Sequence, residues 1–169
     1  MTTWVFDLDG TLCDTSMRLH YIRGKKKDWD GFFSEIPNDP PFMPMINLAK
    51  TLSKSSENVI VFQTGRPERY RSLTANWLAT HGLANSYEVL LMRESGDYSP
   101  NTVVKLRFLE WIIDYTNSKD LLWFEDSLPV VQMINRQGVL ALSAEHFLET
   151  HQEDLNYQEI PYADGENND

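Results

Sequence analysis

Asp7-Leu8-Asp9-Gly10-Thr11 closes an apolar run and enters a glycine turn. On a strand, residues i and i+2 share a face, so this spacing predicts both carboxylates in one small volume. Two negative charges held that close repel each other unless a cation lies between them or one keeps its proton. The pair implies either a metal site or a nucleophile beside an acid, and both readings lead to phosphoryl chemistry. An Asp before glycine also serves simply to cap a turn, so the pair needs company. Thr64-Gly65-Arg66, Lys105 and Glu125-Asp126 provide it, each at or near the end of an apolar run or the start of a helix. Alone, each has a plainer reading as a helix start, a solvated lysine or a helix-capping pair. Together, and in this order, they describe one site.

The elements that must position these residues are five apolar runs read as buried parallel strands. They are Thr3 to Phe6, Val59 to Phe62, Val89 to Met92, Leu121 to Phe124 and Val139 to Leu142. Helical stretches alternate with them, which predicts a doubly wound, Rossmann-like α/β fold with a five-stranded parallel sheet. Tyr70, Leu73, Trp77 and Leu78 recur at helical spacing within a helix expected from Arg66 to His81. Val104, Phe108, Trp111 and Ile112 mark another, capped by Asn101 or Thr102, and Pro44 to Leu52 and Leu128 to Asn135 are shorter candidates. Carboxyl ends of parallel strands lie along one edge of a sheet, so all four chemical signals converge on one crevice.

Residues 14–44 are too many for a strand-to-helix turn and read as a small insertion over that edge. The stretch holds a basic patch (Arg18, Arg23, Lys25, Lys26, Lys27), then Trp29, Phe32 and Phe33, then a proline-rich exit. The basic patch reads equally as a solvated surface. The three aromatics read as the insertion's core, with stacking on a nucleobase as the other use. Residues 1–150 form the expected domain, and the acidic segment 151–169, poor in apolar residues, is expected to be a disordered tail.

The formal charge of −10 argues at first against a polyanionic partner. Eight acids and no Lys or Arg lie in residues 145–169, however, so the rest carries 17 acids against 15 bases and is close to neutral. The single cysteine, Cys13, excludes an intramolecular disulfide and a cysteine-based zinc cage. No apolar run approaches the roughly 18 residues of a membrane span, and the first residues enter a strand, not a signal segment. A cytoplasmic protein without membrane contact is expected.

The four signals, in order, resemble the haloacid dehalogenase superfamily of phosphohydrolases over residues 3–142. The resemblance implies that Asp7 is the nucleophile that forms an aspartyl-phosphate and that Asp9 is the acid, then the base, of the two half-reactions. It implies that Thr64 and Lys105 hold the phosphoryl oxygens. It also implies Mg²⁺ on Asp7, the backbone carbonyl of Asp9 and Asp126, with Glu125 near or in the shell, and Mg²⁺ favours such oxygen ligands. Charge balance agrees: three carboxylates against one Lys105 would repel a phosphate dianion, since like charges ~4 Å apart cost roughly 4 kcal/mol at an effective dielectric near 20. Asp9 favours a phosphatase, because related ion-pumping ATPases carry Thr at that place. Response-regulator switches use similar residues in the opposite order.

A narrower resemblance rests on Gly65-Arg66-Pro67-Glu68-Arg69, Met92-Arg93-Glu94-Ser95-Gly96-Asp97 and Val103-Val104-Lys105. These are similar to the 3′-phosphatase domain of bacteriophage polynucleotide kinase/phosphatases. That implies substrate binding by Arg18, Gly65, Arg66 and Arg69, Arg being suited to bidentate phosphate contact. It implies a nucleotide or nucleic-acid 3′-end as substrate, with free nucleoside monophosphates as the alternative. Asn101 stands where the family tends to carry an acid four residues before the lysine, so that acid's role is either weakened here or reassigned to Asp97. No Gly-x-x-x-x-Gly-Lys-Ser/Thr loop is present, so a stand-alone phosphatase is expected.

Overall fold

The computed structural model describes residues 1–118 and 120–150. Five strands, β1 (Thr2–Asp7), β2 (Asn58–Pro67), β3 (Val89–Arg93), β4 (Leu121–Glu125) and β5 (Leu140–Ser143), form one sheet in the order β3-β2-β1-β4-β5. Every pairing is parallel. The chain runs outward from β1 through β2 to β3 and then returns to β1's other side, which makes the carboxyl end of β1 a topological switch point where open α/β sheets bind ligands.

Helices cover both faces. On one, α3 (Met43–Leu52) and α4 (Arg71–Thr80) bury Met45, Ile46, Trp77 and Leu78 with Phe6 and Phe62 of the sheet. On the other, α5 (Asn101–Thr116) and α6 (Leu128–Arg136) bury Leu109, Ile112, Val130 and Ile134 against Val5, Val61 and Trp123. Val5 and Phe6, adjacent in β1, serve opposite cores, as the two-residue period of a strand demands.

The segment between β1 and α3 folds into short helical pieces rather than a loop. These include α1 (His20–Arg23), α2 (Trp29–Ser34) and single 3₁₀ turns at Ser16–Arg18 and Ile36–Asn38. Phe32 and Phe33 enter the core shared with α3 and α4, whereas Trp29 keeps 45% of its surface exposed. Of the insertion's three aromatics, two therefore form its core and the third is half exposed.

The helix expected from Arg66 begins at Arg71 instead. Strand β2 continues to Pro67, whose extended backbone (φ −62°, ψ 145°) holds off the helix, and a 3₁₀ turn at Glu68–Tyr70 intervenes. Helix α5 is entered through Pro100, with no side-chain cap from Asn101 or Thr102. A further helix, α7 (Ala144–Thr150), follows β5. The acidic tail at 151–169 lies outside the described residues.

Candidate active site

Strand register explains why the acids meet. Asp7, the last residue of β1, pairs with Gln63 of β2, and the preceding residue Phe6 pairs with Phe124 of β4. Glu125 therefore ends β4 beside Asp7, with Asp126 just beyond it. Carboxylate oxygens of Asp7, Glu125 and Asp126 lie within 4.8 Å of one another. Gly10 sits in the left-handed region (φ +82°), and a Cβ there would run into the Asp126 carboxylate. Glycine both makes the turn and clears the space for this acid.

Lys105 reaches this group from α5 and is 1% exposed. Its Nζ donates to Asp7 Oδ1 and, at 3.2 Å, to Glu125 Oε2. Glu125 Oε2 also accepts from Gln63 Nε2 and Trp123 Nε1, each at 3.3 Å. Burial, then the charge of Glu125, pushes the Asp7 carboxyl well above the usual range, with Lys105 opposing. Burial and Glu125 likewise push Asp126 up to about 7. Against a burial that would lower it, Asp7 and Glu125 hold the Lys105 ammonium above its ordinary value. Among the described residues the group is an anion-rich, all-oxygen cluster with one fixed cation, Lys105, and such hard oxygen ligands fit Mg²⁺.

Asp9 follows a different course from the one its spacing suggests. Strand β1 ends at Asp7, so the i, i+2 rule lapses and the two carboxylates take separate partners. Asp9 Oδ1 accepts from Arg66 Nε at 2.9 Å and from Arg18 Nη2 at 2.6 Å. Despite desolvation, Arg66 and then Arg18 hold the Asp9 carboxyl down at about 2. Both guanidiniums are almost wholly buried, and both also bind Asp39: Arg18 through Nε (2.7 Å) and Nη2 (2.8 Å), Arg66 through Nη2 (3.1 Å). Two cations and two anions form a closed, neutral quartet. Arg18 thus leaves the expected basic patch, whose other members, Arg23 and Lys25 to Lys27, are exposed.

Thr64 ends the regular pairing of β2 and is fully buried. Its Oγ1 accepts from the Arg66 backbone N–H at 3.2 Å and keeps its own proton to donate. Gly65 allows α5 to approach, since a Cβ there would stand 2.9 Å from Asn101 Oδ1. Arg69 is exposed and donates to Asp30 Oδ1 of the insertion at 2.6 Å. Asp97 does not reach Lys105; it pairs with Arg107 at 2.9 Å.

Against known families, the sequence model of the polynucleotide kinase PNKP phosphatase domain matches residues 1–146. This chain belongs to that family. The PNKP-type phosphatase domain falls within the haloacid dehalogenase superfamily, and solved structures share its fold. A chain from the Pnkp1/Rnl/Hen1 RNA repair complex matches with a TM-score of 0.63 at 21% identity, covering 84% of this chain and 42% of that one. The present chain thus spans less than half of that protein. A haloacid dehalogenase-like hydrolase from Streptococcus pneumoniae matches with a TM-score of 0.63 at 15% identity, over 94% and 99% of the two chains. CbbY from Rhodobacter sphaeroides, in complex with phosphate, matches with a TM-score of 0.61 at 11% identity, over 85% of each chain. A comparison with curated proteins finds no match.

Three residues of this PNKP-type site escape a reading of the sequence. Asp39, buried at the insertion's exit, anchors both arginines, and its own carbonyl accepts from Trp77 Nε1 at 2.8 Å. Gln63 steadies Glu125. Arg93 ties the turn at Gly65 to the start of α5, donating to the carbonyls of Gly65 (3.0 Å) and Ser99 (2.7 Å). Only Arg93 had a signal, because it lies within the second resembling segment.

Proposed function

We propose that this PNKP-type phosphatase domain is a Mg²⁺-dependent phosphomonoester hydrolase that removes 3′-phosphates from polynucleotide ends through an aspartyl-phosphate at Asp7. The observation that carries the reading is the meeting of Asp7 with Glu125, Asp126 and Lys105 at the carboxyl ends of β1 and β4. Residues 1–150 supply the catalytic domain, and residues 14–44 its cap-like insertion.

Asp7, Asp126 and the Asp9 carbonyl, with Glu125 behind them, would hold Mg²⁺. When bound, it offsets the carboxylate charge and draws the phosphate dianion in. An Asp7 carboxylate oxygen attacks phosphorus, and the bond to the 3′-oxygen breaks. Asp9 gives that oxygen a proton. Water then attacks the same phosphorus, Asp9 takes its proton, and the Asp7 carboxylate returns as inorganic phosphate leaves. Thr64 and Lys105 donate hydrogen bonds to the phosphoryl oxygens, where charge accumulates.

The Arg18–Asp39–Arg66 frame favours an ionised Asp9, which suits the base role. In the acid role, the approaching phosphate dianion raises the Asp9 carboxyl by like-charge repulsion. Arg18 and Arg66 therefore act by aiming and tuning Asp9, while Arg69 stands at the rim. A groove beside Gly65, lined by four acids (Asp28, Asp30, Glu94, Asp97) against three bases (Lys27, Arg69, Arg93), favours the second reading, hydrolysis of free nucleoside monophosphates.

A phosphate-release panel tests the proposal, with 3′- and 5′-phosphorylated oligonucleotides, nucleoside monophosphates and sugar phosphates, each in Mg²⁺ or EDTA. Release from 3′-ends that requires Mg²⁺ supports it. Rates within a few-fold across the panel, or turnover undiminished in EDTA, would defeat it.

A further inference from the structure

Beside the turn at Gly65 lies a groove of about 640 Å³, within the range of pockets that hold small ligands. Its lining includes Gly65, the residue after Thr64, so the groove adjoins the proposed reaction site at that turn. The insertion contributes one wall and the β3–α5 connection contributes the other. Two aromatic rings remain exposed in it: Trp29, at 45%, and Tyr98, at 96%.

Trp29 rests on packed rings, and Tyr98 is carried by a pinned backbone turn. Trp29 stacks on the buried Phe33 (centroids 6.0 Å apart, planes at 21°) and meets the edge of the buried Phe32 at 5.8 Å. Tyr98 projects from a pinned turn. Arg93 Nη1 holds the carbonyls of its two neighbours, Asp97 (3.3 Å) and Ser99 (2.7 Å), and Asp97 Oδ1 accepts from the Ser99 N–H at 2.8 Å. Among the described residues, the Tyr98 side chain has no hydrogen-bond or ring partner. Exposed, unsatisfied aromatic surface next to a phosphate site is what a nucleobase needs for stacking.

The charges of the same groove set a limit. Its cations are Lys27, Arg69 and Arg93, against Asp28, Asp30, Glu94 and Asp97. Arg69 is taken up by Asp30, and Arg93 by backbone carbonyls. Lys27, 5.5 Å from the Trp29 ring centroid, is the groove cation without an oxygen partner among the described residues. Grooves that follow a strand line its phosphates with cations, and this one does not.

Resting on the phosphatase reading above, we propose that Trp29 and Tyr98 form a base-binding subsite for the nucleotide that carries the scissile phosphate. Recognition ends with that nucleotide, and upstream phosphates contribute little.

The test compares kcat/KM for a single-stranded 3′-phosphorylated oligonucleotide with that for the same oligonucleotide made abasic at its last nucleotide. The enzymes are the native protein, Trp29→Leu and Tyr98→Ala. Each variant, and the abasic change, is expected to lower kcat/KM about 5- to 100-fold, mainly through KM. Neither variant is expected to lower it further on the abasic substrate. Native kcat/KM is expected to change only a few-fold from a nucleoside 3′-monophosphate to a long oligonucleotide, and only a few-fold between 50 and 200 mM salt, whereas six or more phosphate contacts would cost about 10³-fold or more. Variants that match the native enzyme on the normal substrate, or are equally impaired on the abasic one, would overturn the subsite. A steep dependence on length or salt would overturn the one-nucleotide limit. A native enzyme that releases nothing from any 3′-phosphorylated nucleotide, yet hydrolyses other phosphoesters, would instead overturn the phosphatase reading itself.

Discussion

Arg18 and Asp39, 21 residues apart, meet through two parallel hydrogen bonds of 2.7 and 2.8 Å, both side chains buried. The same Arg18 Nη2 touches Asp9. A residue at the exit of the insertion therefore governs the carboxylate proposed as the acid and base. Removing one member of a buried ion pair leaves an uncompensated charge, at roughly 3–5 kcal/mol. Asp39→Asn is expected to lose about that much stability in urea unfolding, and a loss under about 1 kcal/mol would refute the structural role.

The same frame makes a kinetic prediction. Arg66 is the larger of the two charges lowering Asp9, so Arg66→Gln should let its carboxyl rise. The acid limb of the kcat profile, where an Asp9 base is lost to protonation, should then move to higher pH. An unmoved limb, in protein that still folds, would separate Asp9 from the rate-determining proton transfer.

Among the described residues, Lys105 is the one cation touching the Asp7 carboxylate. Lys105→Met keeps the apolar stem but removes a donor aimed at developing charge, a loss that typically costs about 10²–10³ in kcat. Steady-state kinetics on a 3′-phosphorylated oligonucleotide would show it. A variant within threefold of native would place the phosphoryl oxygens elsewhere.

The acid cluster also has a signature in stability. Asp7 and Asp126 bind protons more tightly in the folded than in the unfolded chain, so the folded state holds the extra protons. Their stabilising contribution is present below the ordinary carboxylate range and is lost as pH rises through about 7 for Asp126. Asp9, shifted the other way, loses its contribution only as pH falls toward about 2. In EDTA, Tm is expected to fall as pH rises from 5 to 8. Added Mg²⁺ should raise Tm most at the upper end. Asp126→Asn should flatten both trends, and a Tm in EDTA that climbs across that interval would contradict the cluster's electrostatics.

The parts of this site set by chain direction are legible in the sequence. Thr3 to Phe6 and Leu121 to Phe124 read as strands because both faces of each are covered, and strand ends then place Asp7 and Glu125 together. What could not be read depends on contacts between distant side chains. Arg18 looks like one more member of a basic run until Asp39 removes it to the interior. Asp9 shares Asp7's face only if the strand continues, and it stops. Arg66 reads as the opening of a helix, because nothing local shows that Pro67 prolongs β2. Tyr98 has no neighbouring pattern at all; its importance comes from Arg93 pinning the turn around it.

The central claim is a covalent bond between Asp7 and phosphorus. The direct measurement is acid quenching of Mg²⁺-loaded enzyme during turnover of a 3′-phosphorylated oligonucleotide, followed by mass spectrometry of its peptides. The account requires a phosphorylated peptide containing Asp7 that forms and decays within the turnover time and is missing from Asp7→Asn, which should also be inactive. Turnover retained by Asp7→Asn, or a phosphoryl group found on another residue, would contradict it.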